Sequence, residues 1–159
     1  MEVNLTLRQH YQTSVMNALG GYQLLEEALK TYLGIYYDAI RTILAGRLHC
    51  GFSLEDFSNL PLGKLCNAFA KTSTNDALAN EIRALIAHRN HMAHQSLSYM
   101  YDLSVQDSQL VQAVNNNLEM TKRVSDILGR VHASSVEVHQ TMEGVVAAHL
   151  ALVASTPEP

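Results

Sequence analysis

The chain has 159 residues, 47% of them hydrophobic and 16% charged, with a formal net charge of −4. That balance suits one folded domain of ordinary size, with a core that needs neither disulfides nor structural metals, and excludes a disordered chain. The acidic balance opposes nonspecific attraction to nucleic acid, which is driven by Lys and Arg displacing counterions, and Lys122-Arg123 is the only adjacent basic pair, so any RNA contact must be local.

Only three prolines occur, two of them in the tail Ser155-Thr156-Pro157-Glu158-Pro159, so helix is permitted almost everywhere before that tail, which reads as unstructured. The start, Met1-Glu2-Val3-Asn4, lacks a basic-then-apolar leader pattern, and no apolar run approaches the roughly 20 residues that cross a bilayer. A cytoplasmic protein, 1–154 as one helical domain and 155–159 as a tail, is the expectation. Cys50 and Cys66 are then read as reduced thiols.

Val15, Ala18, Tyr22, Leu25, Leu29, Tyr32, Tyr36, Ala39 and Ile43 recur at steps of three and four, marking the buried face of a first long helix, about 5 to 46. Gly20-Gly21 and Gly34 inside it signal either a break or a close helix contact. The pattern lapses from Gly51 to Pro61, and a short helix follows with Leu62, Leu65 and Phe69 on its face. Thr72-Ser73-Thr74-Asn75-Asp76 is rich in N-cap residues and precedes a third helix carrying Leu78, Ile82, Leu85 and Ile86. After a connector from Gln95 to Asp107, a long final helix has the seam Leu110, Val114, Asn117, Thr121, Val124, Leu128, Val131, Ser135, Val138, Met142, Val145, His149 and Leu152. Its polar members suit packing within a bundle better than a solitary coiled coil, and Gly129 is a candidate break. The expected architecture is all-α: a four-helix up-and-down bundle, long, short, medium, long.

The stripe Leu78, Ile82, Leu85, Ile86 meets Arg89 at its next position. An arginine on a core stripe requires a carboxylate, a shielded cleft or an interface, and Glu26 and Glu27 are the candidate carboxylates. Asn90 and His94 share a face four residues apart, whereas Arg89 and His94 differ by about 140° on an ideal helix. They converge only if the helix ends or bends near Ala93, or if two copies meet across a symmetry axis.

The segment Arg89-Asn90-His91-Met92-Ala93-His94 resembles the Arg-polar-x3-His signature of the HEPN superfamily (higher eukaryotes and prokaryotes nucleotide-binding domain), and the helix order is similar over about the first two-thirds of the chain. The resemblance implies a homodimeric, metal-independent endoribonuclease with its site at the dimer interface, acting as a toxin or in phage defence, with RNA as substrate and a cognate antitoxin as a further partner. It assigns Arg89 to phosphate and transition-state binding, His94 to acid-base chemistry and Asn90 to orienting them. Some toxin members carry a tyrosine two residues after the histidine, the target of silencing nucleotidylation; here that residue is Ser96.

Other readings compete with this one. Arg89 and His94 would also serve as a structural polar pair, leaving a non-catalytic module for protein or nucleotide binding. His88, His91 and His94 rotate by about −60° at each step of three, too divergent for a metal comb, and no cofactor is expected. Tyrosines between Tyr32 and Tyr37 fit core or interface better than base stacking, and His132, His139 and His149 read as scattered polar residues.

Overall fold

The computed structural model describes residues 2–44, 55–102 and 104–154; the expected tail, Cys50 and the start of the 51–61 loop lie outside the described residues. Five helices account for nearly all of it: α1 Glu2–Ile43, α2 Glu55–Ser58, α3 Leu62–Thr72, α4 Asp76–Tyr101 and α5 Asp107–Ala154. No strand occurs among the described residues, and none of their helices is long and apolar enough to cross a membrane.

The α1 stripe is buried from Tyr11 through Val15, Ala18, Tyr22, Leu25, Leu29 and Tyr32, as its periodicity requires, while Ile43 emerges into solvent. Along α5, Leu110, Asn117, Val124, Val131 and Ser135 are buried, and Ile127 joins them from beside the seam. Both helices run unbroken through their glycines, and the reason at Gly21 is contact: a Cβ there would lie 3.3 Å from Val124 Cγ1. At Gly20 and Gly129 an added Cβ would meet nothing within 4 Å. Seven residues before Gly21, the Asn117 carboxamide donates to Ser14 Oγ at 3.0 Å, and Ser14 donates to the Tyr11 carbonyl at 2.7 Å.

The pairs Ser14–Asn117 and Gly21–Val124 share the same sequence offset, so α1 and α5 run parallel. Helix α4 runs against both, with its Tyr99 beside Tyr11, its His88 beside Tyr22, and its Glu81 bonded to Arg130 at 2.7 Å. Strict up-and-down alternation would set the first and last helices antiparallel, and this departs from it. The α1–α3 connection turns back along the bundle: Phe57 stacks on Tyr37 near the end of α1, whereas Gly63 already lies against Ile86 of α4.

Local signals set the helix ends. Asn75 caps α4, its Oδ1 accepting from the Leu78 amide at 3.0 Å, as the N-cap cluster predicts. The other end corrects the sequence reading: α4 continues to Tyr101, six residues past the expected start of the connector at Gln95. Met92, Ser96 and Tyr99 extend its packed face, and the Arg8 guanidinium donates to the carbonyls of Tyr99, Met100 and Asp102 at 3.1, 2.9 and 3.0 Å. A cation on the last carbonyls satisfies acceptors that a helix end leaves open and complements its dipole. Cys66 is a free, buried thiol, its pKa pushed up by burial, and Tyr32 is a core residue edge-on to Phe69 at 4.7 Å.

The two neighbouring glycines give opposite expectations. Gly21→Leu should destabilise the fold by about 1–3 kcal/mol through overpacking against Val124. Gly20→Ala, with open space around it, should stabilise by about 1 kcal/mol from helix propensity. Urea denaturation of both variants measures the difference, and equal effects would contradict a close seam at Gly21.

Candidate functional site

Helix α3 covers only the first half of α4. The two meet where the Cys66 thiol points at the Ala79 carbonyl at 3.5 Å and where Gly63 lies against Ile86, and α3 begins one residue before Gly63. Beyond Ile86 the same side of α4 is uncovered, so Arg89, Ala93 and Leu97, which continue the face that α3 shields, come to the surface. The core stripe therefore gives way to arginine at the level where its covering helix stops.

Arg89 is half-buried there, its side chain 35% exposed, and Nη2 lies 3.5 Å from Oε1 of Glu26, whose side chain is 18% exposed. Of the two glutamates considered from the sequence, Glu26 is this partner, while Glu27 pairs with Lys30 at 2.7 Å. At 3.5 Å the Arg89 contact is long for a charge-assisted hydrogen bond. The other terminal nitrogen, Nη1, is 3.5 Å from Asn90 Oδ1.

Asn90 and His94 are exposed. Because α4 passes straight through Ala93 to Tyr101, the intrachain route to convergence, a helix end or bend near Ala93, is absent. Within one chain the structure brings Arg89 to Asn90 and leaves His94 on a different face. Asn90 and His94 lie on an outer stripe that continues through Leu97, 61% exposed, to Tyr101, 78% exposed. Ser96, two residues after His94, is 7% exposed and lines a cleft rather than the outer stripe.

The remaining histidines of the segment serve another side of α4. His88 Nδ1 lies 3.0 Å from the Tyr22 hydroxyl, whose pKa burial pushes up to about 12, so the phenol keeps its proton. Burial, and secondarily the neighbouring His91, lower the pKa of His88 and favour the neutral ring. His88 and His91 both line a polar cleft of about 370 Å³ between α1, α4 and α5, and His94 does not. No group of three His, Cys, Asp or Glu side chains among the described residues is placed to share a metal ion. The sequence reading weighed His88 only as part of a metal comb; its tyrosine partner lies 66 residues away, with no local signal to announce it.

A histidine whose pKa is lower folded than unfolded makes the unfolded state bind more protons as pH falls below about 6.5. The His88 contribution should therefore be intact above that value and be lost on acidification toward the lowered pKa. His88→Gln should flatten the stability profile between pH 7 and pH 5 by up to one proton. Urea midpoints of both proteins across that range test this, and parallel profiles would show that His88 is not the group responsible.

The chain matches no protein-family model, and no curated protein and no solved structure matches it.

Proposed function

We propose that two copies of this chain form a metal-independent endoribonuclease of HEPN type, with Arg89, Asn90 and His94 from both copies building the site. The bundle of α1, α3, α4 and α5 is read, on this proposal, as a variant of the HEPN arrangement. The observation that carries the reading is the uncovered second half of α4. It holds a half-buried arginine beside an exposed asparagine and histidine, on a surface that continues into exposed Leu97 and Tyr101. An apolar stripe beside polar groups is the composition of an interface, and a two-fold axis there sets Arg89 of one copy against His94 of the other.

The chemistry follows from the residue types. Imidazole is a common general acid-base group, so His94 can remove the ribose 2′-hydroxyl proton. The 2′-oxygen then attacks phosphorus, the bond to the 5′-oxygen breaks, and the leaving oxygen takes a proton. The products are a 2′,3′-cyclic phosphate and a 5′-hydroxyl. Arg89 stays charged throughout and offers a planar pair of donors to the phosphorane oxygens. Glu26 holds that guanidinium until a phosphate displaces it. A role as toxin or defence effector, with an antitoxin as partner, belongs to the same proposal and rests on the resemblance alone.

The contact with Glu26 also favours a second reading, in which Arg89 is a structural cation and the bundle is a non-catalytic binding module. Labelled RNA incubated in EDTA separates the two. His94→Ala and Arg89→Ala should each reduce cleavage by at least ~10²-fold, Arg89→Lys should restore it only in part, and His91→Ala should retain most of it. Glu26→Gln should raise cleavage at limiting RNA by releasing the guanidinium. Equal cleavage by wild type and His94→Ala, or none by wild type, leaves the module.

The dimer has its own test. Light scattering at tens of micromolar should give twice the chain mass, and Leu97→Asp should return the monomer while circular dichroism stays helical. A monomeric wild type would remove the composite site.

A further inference from the structure

The polar cleft on the α5-facing side of α4 is unlike the rest of the seams in this bundle. Its lining includes only two residues without a polar side-chain atom, Met92 and Ala113. No Lys, Arg, Asp or Glu belongs to that lining, although the chain carries 26 such residues, 11 basic and 15 acidic. A neutral cleft has no counter-charge for a free phosphate, a carboxylate or a metal ion, and its polarity makes it a poor seat for a lipid tail.

Ser96 offers the cleft a hydroxyl that no other group of the described chain uses. It is only 7% exposed, yet its hydroxyl makes no hydrogen bond within the described chain and lines the cleft. Other helical hydroxyls here bond back to the preceding turn: Thr121 to the Asn117 carbonyl at 2.8 Å, Ser134 to Arg130 at 3.1 Å and Ser135 to Val131 at 3.1 Å. A serine in mid-helix ordinarily does this or turns to solvent, and Ser96 turns its hydroxyl to the open cleft.

To the same cleft α5 contributes the exposed carboxamides of Gln112 and Asn116, and α4 the His88 and His91 rings. With Nδ1 of His88 paired to the Tyr22 hydroxyl at 3.0 Å, the ring has its second nitrogen, Nε2, on the edge away from Tyr22, a donor in one tautomer and an acceptor in the other. Carboxamides supply a donor and an acceptor side by side, the pattern that pairs with the edge of a heterocyclic base. At the far end, Tyr99 is half-buried against Tyr11, ring centres 5.8 Å apart, and leaves part of its surface to the cleft. From His88 to Tyr99 the cleft follows eleven residues of helix, roughly 16 Å, which exceeds a base alone and accommodates a base with its sugar.

We infer that this cleft binds an uncharged nucleoside, its base edge on the Gln112 and Asn116 carboxamides and its hydroxyls toward Ser96 and the imidazoles. The site is distinct from the proposed Arg89–His94 centre, which lies on other faces of α4, and it stands whether or not the protein cleaves RNA. Its volume of about 370 Å³ is at the small end of ligand pockets, as a nucleoside requires.

The test is a titration of the full chain with adenosine, guanosine, cytidine and uridine separately, followed by amide and side-chain NH₂ signals in nitrogen–proton correlation spectra. At least one nucleoside should shift the Gln112, Asn116 and Ser96 signals in a saturable way. Its 5′-monophosphate should bind no more tightly, because no cation lines the cleft. Ser96→Ala should weaken binding about fivefold, the loss of roughly one hydrogen bond, and Asn116→Leu should weaken it further, with both variants checked for wild-type helicity. Gln140→Ala, at an exposed position of α5 outside the cleft, should leave the affinity unchanged. No saturable shift with any of the four, shifts confined to another surface, affinity indifferent to Ser96→Ala and Asn116→Leu, or a monophosphate that binds much more tightly would each overturn the assignment.

Discussion

The close parallel seam between α1 and α5 is the constraint on which the rest of the molecule depends. Two helices of 42 and 48 residues lie side by side because a glycine admits a valine at one level and an asparagine reaches a serine seven residues earlier. Apolar packing alone is tolerant of sliding, whereas a buried carboxamide satisfied at one register penalises every other. Against the parallel pair of α1 and α5, α4 runs in the opposite direction, and its capping by Arg8 and its ion pair from Glu81 to Arg130 fall at matched heights. The short α3 then fills only the part of the groove that remains.

That shortness gives the candidate site its place. Eleven residues of α3 cannot shield twenty-six of α4, so the exposed half of α4 must carry residues that tolerate water or a partner. Arg89, Asn90 and His94 occupy the first turns after the shield ends, and Leu97 and Tyr101 extend the same surface. Three sides of one helix do different things. One holds a guanidinium against a carboxylate, the outer one presents an imidazole, and the third faces a cleft of neutral polar groups. The separation is a consequence of helical geometry, since neighbouring residues in the segment differ by about 100° in direction.

Much of this was legible in the residues. Three-four spacing located both long helices and most of their buried faces, because apolar side chains on a helix have one way to leave water. Asn75 announced the start of α4, and the placement of Arg89 on an apolar stripe announced that it needed a partner. The end of α4 was not legible. Ser98 and Tyr101 look like part of a connector, and what holds that last turn helical is packing of Tyr99 on Tyr11 and three hydrogen bonds from an arginine more than ninety residues earlier.

The sequence by itself therefore determined the longer helices apart from the end of α4, most of their inward faces and the residue types available for chemistry, since these depend on neighbours a few positions apart, whereas the four-residue α2 lies where the periodicity lapses. Tertiary structure decided which helices run parallel, where α3 stops shielding α4, that Glu26 rather than Glu27 meets Arg89, and that His88 answers to Tyr22. Each of these is a contact between residues tens of positions apart, set by how whole helices seat against one another. Periodicity fixes the direction of a side chain around its own axis and carries no information about what stands opposite.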